Sequence, residues 1–247
     1  MSYNTTTFPK GILFDMDGVL LISTQSSDQS WQHVCQQFAP TLGASPEAFY
    51  QSLRESRDAY QRDIENNPQK QQRDRLEPFA TRKETVEKAL ERVGKEDTLL
   101  AAEMVRAYET LREKHLQPTP HALDVLRTLQ EHAIPLALIS NGNATYQRHK
   151  IQHYHLAPFF TTILIEEEFG VAKPDSRIFL SALDHLQVSA HETWMIGDNL
   201  TLDIAGSQHL GIFAIWFDSS RKGLPEESTV RPDRIIHTLT ELLDENM

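Results

Sequence analysis

One cysteine, Cys35, stands in 247 residues. No intrachain disulfide is open to such a chain, and a Cys-rich zinc site is excluded. Long apolar runs are missing too. The first, from Gly11 to Ile22, is interrupted by Asp15 and Asp17, and no stretch reaches the roughly 18 apolar residues of a membrane span. The opening residues, Met1 to Lys10, lack the basic-then-apolar pattern of a secretory signal. Positive charge is in deficit: 24 Lys and Arg against 35 Asp and Glu leave a net charge of −11. A polymeric nucleic acid and an anionic membrane both favour basic patches, so neither is expected as a partner. The expectation from these absences is a soluble, cytoplasmic protein.

What is present is a globular composition, 39% hydrophobic and 24% charged, with enough apolar residues for a substantial core. Short apolar runs at 11–14, 134–139, 161–165, 193–196 and 212–217 read as buried strands. Helical spacing lies between the later ones: Ala122, Val125, Leu126 and Leu129, then Ile178, Phe179, Ala182, Leu183 and Leu186. Thr119-Pro120 offers an N-cap and first turn for the former. Strands alternating with helices predict a parallel sheet covered on both faces. One interval breaks the pattern. Residues 21–116 contain no convincing strand but carry amphipathic helices, with Val86, Ala89, Leu90 and Val93 on one face and Ala101, Met104, Val105, Tyr108 and Leu111 on another. The polar stretch 66–75 reads as a loop or an exposed helical turn. Charge divides similarly: 51–115 holds 14 basic and 14 acidic residues, so the whole −11 falls outside it. The expected organisation is an α/β core of 1–20 and 117–247, with an all-helical cap, 21–116, inserted after the first strand.

Ligands of open α/β sheets bind beyond the carboxyl ends of the strands. There the chain places Asp15-Met16-Asp17-Gly18, then Ser140-Asn141-Gly142, then Lys173-Pro174, and Gly197-Asp198-Asn199 with Asp203 shortly after. Carboxylates brought together in one cleft repel one another unless a cation joins them. Mg²⁺ suits oxygen ligands, takes one or two carboxylates, and keeps room for waters and a substrate phosphate. Ser140, the amides after it and Lys173 could hold phosphate oxygens. A carboxylate at the metal's edge can act as nucleophile, and a second carboxyl two residues on can serve as general acid and base.

These four motifs, in this order and at strand ends, resemble the haloacid dehalogenase-like hydrolase superfamily, phosphatase branch, with an inserted helical cap. The resemblance covers the chain except most of the inserted helices, and implies a Rossmann-like parallel core flanked by helices. It implies Asp15 as nucleophile and metal ligand, Asp17 as general acid/base with its carbonyl on the metal, and Asp198 as the third metal contact. It further implies phosphate binding by Ser140, Asn141 and Lys173, and supporting roles for Gly142, Asn199 and Asp203. The resulting expectation is a Mg²⁺-dependent phosphatase acting on a small phosphorylated metabolite, a sugar phosphate, a nucleotide or similar, through an aspartyl-phosphate on Asp15. A phosphomutase of the same superfamily is the alternative, and a non-enzymatic binding protein on this fold the third reading. Aspartate at 17 is untypical of relatives resembling dehalogenases. One departure stands out: many members carry an acidic residue shortly after the first motif, where this chain has Ile22 and Ser23.

Other features have plainer readings. His149 and His153 sit four apart with His155 nearby, but no obvious further zinc ligands accompany them, and surface or half-buried histidines are the expectation. Glu166–Glu168 reads as a solvated run. Cys35, Trp31, Trp194 and Trp216 read as packing residues. Arg73, Arg75, Arg82 and Lys83 could meet an anionic substrate, though a salt-bridged helix surface is expected for most of them.

Overall fold

A computed structural model of the protein describes residues 8–244; most of the opening segment read above for a secretory signal lies outside the described residues. The chain begins with β1 (Gly11–Phe14) and β2 (Leu21–Ser23). Five helices follow: α1 (Ser27–Leu42), α2 (Pro46–Ile64), α3 (Pro68–Leu76), α4 (Pro78–Arg92) and α5 (Thr98–Lys114). Then come β3 (Leu116–Pro118), α6 (Ala122–Glu131), β4 (Leu136–Ser140), α7 (Ala144–His153), β5 (Thr162–Ile165), α8 (Glu166–Phe169) and α9 (Ser176–Leu186). β6 (Thr193–Gly197), β7 (Phe213–Phe217) and β8 (Arg234–Ile236) complete the strands.

Six strands form one sheet in the order β5-β4-β1-β6-β7-β8, parallel throughout. All four residues of β1 and all five of β4 are buried, as continuous apolar strands in the middle of a parallel sheet must be. Alternate side chains divide between the faces. Leu13, Ala137, Ile139 and Leu164 pack with Ile178, Phe179, Ala182, Leu183 and Leu186 of α9. Ile12, Phe14, Leu136 and Leu138 are equally buried, so the sheet is covered on both faces. The architecture is the Rossmann-like one expected.

The chain divides into two compact units, one comprising Met1–Ile22 with Pro118–Met247 and the other Ser23–Gln117. The second unit is helical and has its own core of Trp31, Val34, Phe49, Leu53, Val86, Leu90, Met104 and Val105. Trp31 stacks on Tyr108 within it, ring centroids 4.1 Å apart. Cys35 is fully buried there, and burial pushes its thiol up to about 12, which removes it from thiolate chemistry.

Several elements differ from expectation. The segment 66–75 is mostly helix α3, although none of its residues is buried. Local chemistry accounts for it: Asn67 Oδ1 accepts from the Lys70 amide at 3.1 Å, and Pro68 opens the helix. Three-residue strands β2 and β3 pair with each other at the ends of the insert, and β8 extends the core sheet; all three are too short to show an alternation. Thr119 does not cap α6. Its hydroxyl donates instead to the Val19 carbonyl at 2.6 Å, and His121, at φ 64°, precedes the helix without a side-chain cap.

Leu13 is fully enclosed between β1 and α9. Leu13→Ala is expected to cost about 2–5 kcal/mol through lost burial and the cavity left behind, measured as a lowered midpoint in chemical denaturation.

Candidate active site

β1 lies between β4 and β6 in the sheet. Chain connections turn to opposite sides there, which opens a crevice at the carboxyl ends of these strands. Asp15 and Asp17 follow β1, Ser140 ends β4, and Asp198 follows β6. The strand order therefore brings together residues more than a hundred positions apart.

Lys173 is the hub. Its ammonium is buried and meets three oxygens: Asp15 Oδ1 at 2.5 Å, Asp203 Oδ1 at 2.7 Å and the Ile139 carbonyl at 2.9 Å. Burial works against its charge, but Asp15 and Asp203 outweigh that and hold its pKa above the ordinary lysine range. Asp15 is buried as well, and burial pushes its carboxyl up to about 8 against the pull of Lys173. Asp198 is solvent-exposed on one side. The protein crowded around its other side, reinforced by the charge of Asp203, pushes it up to about 6.

Asp203 projects from a π-helical segment, Leu200–Ala205, an irregular turn type often found at functional sites. Asn199 caps it, Oδ1 accepting from the amides of Thr201 and Leu202, and the Asn199 amide donates to Asp203 Oδ2 at 3.0 Å. Gly197 and Gly18 make room for this arrangement. A Cβ on Gly197 would collide with Asp203, and one on Gly18 (φ +89°) with the Asp198 carboxylate.

Asn141 ties two loops together. Its Nδ2 donates to the Lys173 carbonyl at 3.0 Å and its Oδ1 accepts from the Lys173 amide at 2.8 Å. Its side chain is thus committed to holding Lys173. Gly142 donates its amide to the buried Glu166 at 2.9 Å. The neighbouring glutamates work alike: Glu167 accepts from the Ala144 amide and Asn143, and Glu168 forms a two-pronged ion pair with Arg148. Glu167 and Glu168 are exposed, as read from sequence, and Glu166 is buried; together the three brace the loop after β4 and the start of α7.

The Asp17 side chain points to α7. Lys150 Nζ lies 2.7 and 2.6 Å from its two oxygens, and Gln147 Nε2 donates to Oδ2 at 2.9 Å. Gln147 also reaches Ser140 Oγ at 2.6 Å and the Asn141 carbonyl at 2.9 Å. Neither residue stands out in the sequence, because the partner Asp17 lies 130 or more positions away.

Among the described residues, Asp15, Asp198 and Asp203 alone form a group of three or more candidate metal ligands, with one oxygen from each within 4.8 Å of the others. Asp203 Oδ1 is buried and accepts no aligned hydrogen bond, its contact with Lys173 being an ion pair only. Three carboxylates face one ammonium, and a hard divalent cation fits that surplus charge and all-oxygen donor set. His149, His153 and His155 join no such group. In the second unit, Arg73, Arg82 and Lys83 are in ion pairs with Glu84, Glu109 and Glu87. Trp216 Nε1 donates to the Asp198 carbonyl at 2.8 Å, so this tryptophan also supports the site.

Residues 9–211 match the model of the haloacid dehalogenase-like hydrolases, and the chain belongs to that family. It is similar to a phosphoserine phosphatase of Thermus thermophilus, 34% identical over 143 residues, which are 58% of this chain and 56% of that protein. The chain spans about half the length of the curated relatives it matches. Among solved structures, a 2-haloacid dehalogenase of Pseudomonas syringae is 27% identical, with a TM-score of 0.64 over 96% of this chain and 98% of its own. The magnesium-bound HAD-hydrolase YfnB of Bacillus subtilis shares the fold at 24% identity, with a TM-score of 0.71 over 96% and 97%. Among the described residues, no helix is long and apolar enough to cross a membrane.

Asp15 and Asp198 keep protons in the folded metal-free protein that the unfolded chain has already released. Stability without metal is therefore expected to fall as pH rises from about 4 toward 8. Mg²⁺ is expected to raise the melting temperature most at the alkaline end, and Asp198→Asn to lose most of that increase. Differential scanning fluorimetry across pH, with and without the ion, measures both. Gly197→Ala is expected to cost about 1–3 kcal/mol by overpacking against Asp203, read from the same melts.

Proposed function

We propose that the protein is a Mg²⁺-dependent phosphatase of small phosphomonoesters, working through an aspartyl-phosphate on Asp15. The observation that carries this is the Asp15–Lys173–Asp203 cluster beside Asp198, with a second carboxylate, Asp17, two residues from the first. Lys173 holds Asp15 Oδ1, and the other oxygen attacks phosphorus. The P–O bond to the substrate alcohol breaks, and Asp17 gives the departing oxygen its proton. Water then attacks the phosphorus, with Asp17 taking a proton from it, and inorganic phosphate leaves as Asp15 is restored. Ser140 Oγ, the Asn141 amide and Lys173 receive phosphate oxygens. Asp15, Asp198 and the Asp17 carbonyl would hold Mg²⁺, with Asp203 supporting them from behind. When bound, the ion neutralises charge on the phosphoryl group.

Halide leaves without a proton, whereas an alkoxide needs one. An aspartate at 17 therefore favours ester hydrolysis over dehalogenation, despite the likeness to a dehalogenase structure. The helical unit Ser23–Gln117 is assigned to substrate selection, as an inserted cap would be. The phosphoserine phosphatase relative supports a small phosphorylated metabolite as substrate. A phosphomutase would use the same core, and its signature is an isomeric hexose phosphate formed from a hexose 1-phosphate without free phosphate.

A phosphate-release panel of phosphoserine, triose, pentose and hexose phosphates, 5′-nucleotides and p-nitrophenyl phosphate, with and without Mg²⁺, tests the reading. Turnover of at least one ester that requires Mg²⁺ is expected, with loss of about 10³-fold or more in Asp15→Asn, which removes the nucleophile. Full activity in Asp15→Asn, or no hydrolysis of any ester, would sink it.

A further inference from the structure

Both carboxylate oxygens of Asp17 are held by one helix. Lys150 and Gln147 lie three residues apart on α7 and so share a face. The direction of the Gln147 amide follows from its neighbours. The Asp17 carboxylate and the Asn141 carbonyl are both acceptors, so only the NH₂ end can face them. The same nitrogen lies 2.6 Å from Ser140 Oγ. Its two hydrogens are shared among these three acceptors. One buried amide thus joins the carboxylate after β1 to the hydroxyl that ends β4.

Lys150 touches both Asp17 oxygens almost equally. The side chains are 21% and 45% exposed. Ion pairs this wet add little to stability. What the contacts do set is direction: two donor groups on one rigid helix, making three contacts, determine where the carboxylate of a short side chain points.

We propose that Lys150 and Gln147 are positioning residues for Asp17. They aim one of its oxygens at the leaving-group oxygen of a phosphate ester whose phosphoryl group sits on Ser140. The proposal rests on the phosphatase reading above. In the step concerned, Asp15 forms its bond to phosphorus, the bond from phosphorus to the alcohol oxygen breaks, and the Asp17 proton passes to that oxygen. Lys150 keeps its contact with one carboxylate oxygen while the other turns to the ester.

The test compares two leaving groups. Nitrophenolate departs without a proton, whereas an aliphatic alkoxide needs one. Lys150→Met and Lys150→Arg are assayed on p-nitrophenyl phosphate and on the aliphatic ester of the panel that the wild type hydrolyses fastest. Lys150→Met is expected to lower kcat/KM about tenfold or more on the aliphatic ester and less than about threefold on the aryl ester, the difference being the lost proton transfer. Lys150→Arg restores part of the aliphatic rate. Gln147→Met shows the same selectivity and raises KM on both esters, because it also touches Ser140. Added to Asp17→Asn, Lys150→Met lowers the aliphatic rate less than about twofold further, since the two act as one unit. Equal losses on the two esters, or no loss on either, overturn the positioning role while leaving the phosphatase reading intact. Absence of wild-type hydrolysis overturns both.

Discussion

One ammonium group, buried where the loops of a parallel sheet converge, holds this site in shape. Lys173 cannot stay charged in that place without Asp15 and Asp203, because an unpaired buried cation is prohibitively expensive. The dependence runs the other way as well, since Lys173 is the cation that both of these buried side chains contact, at 2.5 and 2.7 Å. Three separate pieces of chain, the exit of β1, the loop before α9 and the π-helical segment after β6, are therefore conditions of one another. Asn141 adds a fourth by binding both main-chain groups of Lys173. The balance still leaves a surplus of negative charge facing the solvent side, at Asp198. That surplus is the charge and donor set a hard divalent cation would suit.

Much of this was legible in the sequence, for a physical reason. Strands buried on both faces read as unbroken apolar runs, and residues just past their ends converge whatever their separation along the chain. Asp15, Asp17, Ser140, Lys173 and Asp198 could be picked out that way. Gln147 and Lys150 could not. They lie within an ordinary-looking polar helix, and their partner Asp17 is 130 or more residues away, so no local pattern marks them. In the run Glu166–Glu168 only Glu166 departs from the solvated reading; Glu167 and Glu168 are exposed, and only the fold reveals that each of the three has its own partner. Helix α3 escaped because a helix with no buried face has no apolar period to detect. Thr119 shows the limit of reading caps from composition, since a buried main-chain carbonyl across the fold claimed its hydroxyl.

The three glutamates have a further consequence, for how the sequence can vary. Successive residues of a helical turn point about 100° apart, yet each of these three meets a different group in one neighbouring segment: the Gly142 amide, the Ala144 amide and the Arg148 guanidinium. The contacts work as an address read in order. Replacing one glutamate loses one contact and leaves the others correctly assigned. Inserting or deleting a single residue ahead of the run reassigns all three at once and disturbs the loop carrying Ser140 and Asn141. The stretch between β4 and α8 should therefore tolerate substitution far better than a change in length, even though much of it lies at the protein surface.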